Sequence, residues 1–202
     1  MKILAKFSKK DLWSIPNILC YIRLLLIPLF VVQYIKAEEP GEYMRAAAIV
    51  LASGLTDFLD GFIARTFNMV TEFGKLIDPM ADKLTQAALL FVLIVRIKYM
   101  FLLLILFVIM QLFMLVAGIA MLKKGKRLDG SKWFGKVSTM VFYAVMLILV
   151  ALPKLREAQS TTNILMLICG AFLALSFALY VREYIRMYRA LKQEEKANIT
   201  TV

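Results

Sequence analysis

The chain has no histidine and only two cysteines in 202 residues. Without imidazole it lacks the side chain that most often serves as a general base, and metal chemistry here must rest on oxygen donors. Cys20 and Cys169 lie far apart, each inside an apolar run, which gives no basis for a disulfide framework or a cysteine-ligated zinc site. Charge is scarce too. Charged residues make up 19% of the chain against 61% hydrophobic, and the mean hydropathy is +0.76. That leaves too little polar surface to cover a soluble globule of this size. The charge present leans one way, with 25 basic residues, 14 acidic ones and a formal net charge of +11. The basic residues fall between apolar stretches and not on one soluble module. This argues against nucleic acid and for anionic lipid headgroups and phosphate-bearing substrates as partners.

Apolar stretches of about 20 residues, the length a helix needs to cross a bilayer, recur along the sequence. They predict six spans at 16–35, 44–66, 75–96, 99–122, 137–152 and 162–187, preceded by a short amphipathic surface helix from Lys6 to Trp13. The first stretch contains Arg23 and runs into Tyr34-Ile35-Lys36 without a small-residue cleavage site, so it reads as a retained span. The expected fold is all-α and integral to the membrane, with residues 1–202 as a single domain. Basic residues concentrate at the N-terminus, between the second and third spans, from Lys123 to Lys136, and after Arg182. The positive-inside rule then puts both termini, and the loop between spans two and three, in the cytoplasm. A cell (inner) membrane location follows as the expectation.

That loop is approached by two acidic segments, Asp57-Phe58-Leu59-Asp60-Gly61-Phe62-Ile63-Ala64-Arg65 and Gly74-Lys75-Leu76-Ile77-Asp78-Pro79-Met80-Ala81-Asp82-Lys83. On helices, Asp57 and Asp60 share one face and Asp78 and Asp82 share another. If the helices face each other, four carboxylates converge. Carboxylates about 5 Å apart repel by roughly 3 kcal/mol per pair at an effective dielectric of 20, so protons or cations must neutralise them. Two divalent cations would do so, and oxygen-only ligation favours Mg²⁺ or Mn²⁺. Gly61 and Ala64 leave the helix beside the acids almost bare, so a bulky phosphate can come close. Arg65 offers a planar donor fork for a phosphate oxygen. Gly74 opens the next helix, where backbone N–H groups can face an anion.

These residues match, at every specified position from Asp57 to Asp82, the signature D-x2-D-G-x2-A-R-x8-G-x3-D-x3-D, and the chain thereby resembles the CDP-alcohol phosphotransferase family. Ile15-Pro16-Asn17-Ile18-Leu19 with Arg23 and Pro28 is similar to the start of that family's first membrane helix. The resemblance implies that Asp57 and Asp78 bridge two metals, that Asp60 binds one, and that Asp82 binds the other and acts as general base on the acceptor hydroxyl. It also implies CDP-lipid contacts at Ile15, Pro16, Asn17, Ile18, Gly61, Arg65 and Thr71, to which the residue reading adds Ala64 and Gly74. The expected reaction moves a phosphatidyl group from CDP-diacylglycerol to an alcohol, releasing CMP, in a protein that resembles homodimers.

Within the family, the run from Leu76 to Lys83 and the first helix are most similar to the branch whose acceptor is glycerol 3-phosphate. A branch that takes phosphatidylglycerol shares much of this. The fourth span, around Gln111 to Leu122, lacks the Arg-Glu pair associated with the glycerophosphate enzymes, which leaves the acceptor open. Gly135-Lys136-Val137-Ser138-Thr139 resembles a Gly-Lys-x-x-Thr segment of both branches. Arg23, Lys132 and Lys136 are therefore the candidate acceptor contacts, with membrane topology an equal explanation for the two lysines. Membrane prenyltransferases also bind pyrophosphate through aspartates, but on two separated Asp-rich motifs. Ion or proton carriers should show repeat symmetry and acids near mid-membrane, whereas these acids lie near one end of their spans.

Overall fold

A computed structural model describes residues 13–71, 73–124 and 132–200. Seven helices occupy them: α1 (Ile15–Lys36), α2 (Pro40–Thr66), α3 (Gly74–Ile94), α4 (Met100–Lys123), α5 (Trp133–Ala151), α6 (Pro153–Glu157) and α7 (Gln159–Thr200). Strands are absent among the described residues. The predicted surface helix from Lys6 to Trp13 lies, except for Trp13, outside them. Among the described residues, five helices are long and apolar enough to cross a membrane, namely α1, α2, α4, α5 and the Gln159–Gln193 part of α7. The chain is accordingly a multi-pass membrane protein. The third predicted span forms α3, but Lys75, Asp78, Asp82 and Lys83 crowd its first half. It is not one of the five, and the sixth crossing is not established.

Helix ends follow local chemistry. Proline sits in the first turn of α1 and α2, where its missing N–H costs no hydrogen bond. The α2 start moves to Pro40, ahead of the predicted 44, because Glu39 and Glu42 form a reciprocal capping box. At its other end Asn68 takes a positive φ of 52°, and the Met69 N–H reaches back to the Ala64 carbonyl at 3.0 Å. This is a Schellman closure with asparagine in the left-handed position, and it turns the chain toward α3. Pro153 starts α6 immediately after α5 and Leu152, which sets the end of the fifth span.

The helices fall into two compact units. The first holds α1, α2, α3 and the stretch 146–159, and the second holds 99–145 and the chain from Ser160. In the first, α1 packs against both α2 and α3. Phe30 and Tyr34 of α1, Ala46 and Ala47 of α2, and Leu89, Leu90 and Leu93 of α3 are all buried. Arg156 of α6 donates to the Tyr34 hydroxyl at 2.7 Å and lies 4.6 Å from the centre of the Tyr43 ring. It joins the end of α1 to the start of α2. In the second unit, Phe113 meets Phe177 and Tyr184 edge to face, and Phe134 meets Tyr180. Lys132 pairs with Glu183 at 3.2 Å.

Arg156→Ala removes both the hydrogen bond and the ring contact, leaving the hydroxyl of the buried Tyr34 without that donor. Thermal unfolding in detergent should register a loss of about 1–3 kcal/mol. An unchanged melting temperature would remove this contact from the interactions that fix α1 on α2.

Candidate active site

The site is built from three helices of the first unit. α1 contributes Asn17, Cys20 and Arg23, three residues apart and hence along one side of the helix. α2 contributes Asp57, Asp60, Gly61, Ala64 and Arg65, and α3 contributes Gly74, Asp78 and Asp82. The carboxylates of Asp57, Asp60 and Asp78 each bring an oxygen to within 4.8 Å of the others. Three of the four predicted acids therefore come together. Asp82 stands one turn further along α3, about 6 Å of helix rise from Asp78. It accepts from Gln86 Nε2 at 3.3 and 3.4 Å, and Lys83 Nζ lies 3.8 Å from it.

Arg23, expected as an acceptor contact, sits among the three converging acids. Its guanidinium is 2.6 Å from Asp57 Oδ1, donates to Asp78 Oδ1 at 3.0 Å, and also donates to Asp60 Oδ2. Arg23 is 2% exposed and Asp60 5% exposed, whereas the Asp57 and Asp78 side chains are about half exposed, at 53% and 50%. The cluster is thus closed on the Arg23 side and open on the other. One guanidinium against three carboxylates leaves a local excess of two negative charges. At such separations each acid pair repels by about 3 kcal/mol at an effective dielectric of 20. An oxygen-only donor set with this deficit fits a hard divalent cation, whose shell oxygens stand within about 4–5 Å of one another.

Beside the acids is a cavity of about 220 Å³, whose lining includes Asn17, Asp60, Gly61, Arg65, Thr71 and Asp78. Of the nine predicted CDP-lipid contacts, Pro16, Asn17, Gly61, Ala64, Arg65, Thr71 and Gly74 face this one space. Ile15 and Ile18 are not among its lining residues and are exposed instead. Cys20, Met69 and Val70 also line it and were not anticipated. The helical spacing from Asn17 to Arg23 would have found Cys20. Met69 and Val70 follow the turn at Asn68, which carries no periodicity to read. Lys132 and Lys136 belong to the second unit.

Local contacts explain the residue choices. Arg65 Nε donates to the Gly61 carbonyl at 3.1 Å, curling back over Gly61, where an added Cβ would press on the guanidinium at 3.2 Å. The Thr71 hydroxyl accepts from the Gly74 N–H at 2.9 Å and from Asn17 Nδ2 at 3.1 Å. It thus ties the start of α3 to α1. A Cβ on Gly74 would come within 2.7 Å of Asn17 Oδ1 and 3.0 Å of Thr71 Oγ1. Asn17, 1% exposed, has little room to yield, so glycine here is a matter of close approach.

Fold and site together define a helical membrane protein carrying an acid cluster suited to a metal ion, with a small cavity opening beside it. A family model described as CDP-alcohol phosphatidyltransferase matches residues 13–180. The chain belongs to that family, whose members are generally metal-dependent. Among curated proteins it is similar to a CDP-diacylglycerol–glycerol-3-phosphate 3-phosphatidyltransferase of Rickettsia felis, 44% identical over 71 residues, covering 35% of this chain and 39% of that protein. The protein of the same name from Aquifex aeolicus is 46% identical over 70 residues, covering 35% and 37%. That from Bacillus subtilis is 32% identical over 94 residues, covering 41% and 49%. The chain spans less than half the length of each of these relatives.

Gly74→Ala should displace Asn17 and loosen the Asn17–Thr71–Gly74 junction, costing about 1–3 kcal/mol as an overpacked contact does. Thermal unfolding in detergent checks this. A neutral result would mean that the junction yields freely.

Proposed function

We propose that the protein transfers a phosphatidyl group from CDP-diacylglycerol to glycerol 3-phosphate, releasing CMP. The observation that carries the reading is the cavity itself: residues of α1, α2, α3 and the α2–α3 turn line one space that runs up to Asp60 and Asp78. Its volume of about 220 Å³ is below the roughly 300–1,000 Å³ of a whole small-molecule pocket. That supports a site for the polar part of a lipid nucleotide whose acyl chains remain in the bilayer. The names of the relatives support glycerol 3-phosphate as the acceptor.

In this reading Asp57, Asp60, Asp78 and Asp82 hold two Mg²⁺ ions, or Mn²⁺. When bound, these ions would offset the charge that gathers on the pyrophosphate oxygens and the leaving group. Arg65 and the Asn17–Thr71–Gly74 junction bind and orient the diphosphate, and bare Gly61 and Ala64 let it approach α2. Ile15 and Ile18, exposed on α1, contact the lipid portion. Asp82 takes the proton from the acceptor hydroxyl. The hydroxyl oxygen attacks the β-phosphorus, which carries the diacylglycerol, and the bond from that phosphorus to the bridging oxygen breaks as CMP departs. Lys132 and Lys136 are the acceptor-phosphate candidates. The family match runs through residues of both units, which supports their acting as one domain. The basic bias of the connecting segments supports an inner-membrane protein with its termini and active site in the cytoplasm. A homodimer completes the proposal by family resemblance.

Purified protein in detergent with Mg²⁺ and CDP-diacylglycerol should release CMP when glycerol 3-phosphate is added. Because α4 lacks the Arg-Glu pair, phosphatidylglycerol is run in parallel. CMP release with phosphatidylglycerol alone would move the acceptor assignment, and none with either would overturn the transferase reading. Asp82→Asn should lower turnover by roughly 10²–10⁴-fold, as expected for a lost general base, while CDP-diacylglycerol still binds. Near-normal turnover would remove Asp82 from that role.

A further inference from the structure

Within Ile15–Lys36, α1 contains no acidic residue, and its one charge among the apolar positions, Arg23, points into the acids of α2 and α3. We propose that Arg23 is a built-in counter-cation that partly offsets the charge of Asp57, Asp60 and Asp78 in the metal-free protein and competes with metal for the same carboxylates. The site then stays folded when empty and binds its metal reversibly. The proposal rests on the reading that this cluster holds a metal ion.

Four observations carry it. The guanidinium is almost fully buried, so its contacts face little competition from water. It touches one oxygen of each of three carboxylates, on two different helices. Its Nε finds no hydrogen-bond partner among the described residues, so its hold runs through the two terminal nitrogens aimed at the acids. Asp57 and Asp78 are half exposed on the side away from Arg23, which leaves an approach for an ion from outside. A planar guanidinium holds its donors in fixed directions from one buried position, whereas an ammonium is a point charge on a flexible stem. The same charge acts on any arriving cation. A positive group about 3 Å from the ligand oxygens lowers their affinity for metal, because both positive charges draw on the same carboxylates.

The test uses the full chain in detergent and reads Mn²⁺ binding by the electron paramagnetic resonance signal of free Mn²⁺, together with melting temperatures with and without Mn²⁺. In Arg23→Gln the metal-free melting temperature should fall. Mn²⁺ affinity should rise by about tenfold or more, and the stabilisation gained on adding Mn²⁺ should exceed that of the wild type. A merely structural arginine would lower both melting temperatures alike without tightening Mn²⁺ binding, and that outcome, or weaker Mn²⁺ binding, overturns the proposal. If Arg23→Gln folds only with Mn²⁺ present, the proposal is supported outright. If it folds in neither state, Arg23→Lys decides, since a shorter-reaching cation should tighten Mn²⁺ binding and unchanged or weaker binding overturns the proposal. Mn²⁺ binding that is identical in wild type and Asp57→Asn would instead overturn the metal reading of the cluster. The metal-free melting temperatures would still report on Arg23 as counter-charge.

Discussion

Three carboxylates held within 4.8 Å of one another at neighbouring ends of α2 and α3 are an electrostatic load that the rest of the first unit is arranged to carry. In water such charges separate or are screened. On packed helices they cannot separate and are only partly screened, and the effective dielectric makes each pair a matter of kilocalories. α1 answers with Arg23 and no acid of its own. α2 answers with Gly61 and Ala64, whose lack of bulk keeps the ground beside the acids clear for ligands bearing charge. The half exposure of Asp57 and Asp78 leaves the cluster open to ions, which a fully buried triad would exclude.

A load of this kind also tests the helix packing, because repulsion between α2 and α3 acts to spread them. Two contacts oppose it at different levels. Near the acids, the Thr71 hydroxyl joins the Gly74 N–H and the Asn17 amide, tying α3 to α1 where its first turn begins. About 20 Å away along α2, Arg156 grips Tyr34 and Tyr43 and fixes α1 against α2 beyond the reach of the charges.

Much of this was legible in the sequence. The helical class, the identity of the helices and the acid motif all follow from periodicity, length and spacing. Those are local properties, and the structure resolves the helices within a few residues of the expected boundaries except at the far end of α7, which runs to Thr200 where the sequence reading ended the span at 187. Departures arise where a boundary depends on a particular hydrogen bond, as at the Glu39–Glu42 capping box, or on composition near a threshold, as in α3 with four charges in its first half. The site was legible as a list of residues but not as contacts. Seven of the predicted positions share one cavity, yet spacing could not tell that Asp57, Asp60 and Asp78 would gather within 4.8 Å of one another without Asp82. Arg23 is the instructive case. A lone arginine inside an apolar run has to find a counter-charge, and the structure supplies it in the acids of α2 and α3. The sequence reading offered Arg23 only as a contact for the acceptor, because spacing does not show which side chains meet.

The partition of residues between the two units bears on what can vary. The acid cluster, the cavity, Arg65 and the junction at Gly74 all lie in the first unit. The two lysines proposed for the acceptor lie in the second, where Lys132 is already paired with Glu183. In the proposed reading, a change of acceptor would then require no change in the carboxylates, their counter-charge or the residues lining the cavity. Conversely, the first unit is bound by tight constraints, since moving any one acid alters the balance that Arg23 and the open face maintain. Donor chemistry should on this account be the rigid part of such a protein and acceptor choice the adaptable part. That is why a motif read from the first unit alone identifies the family more firmly than it identifies the alcohol.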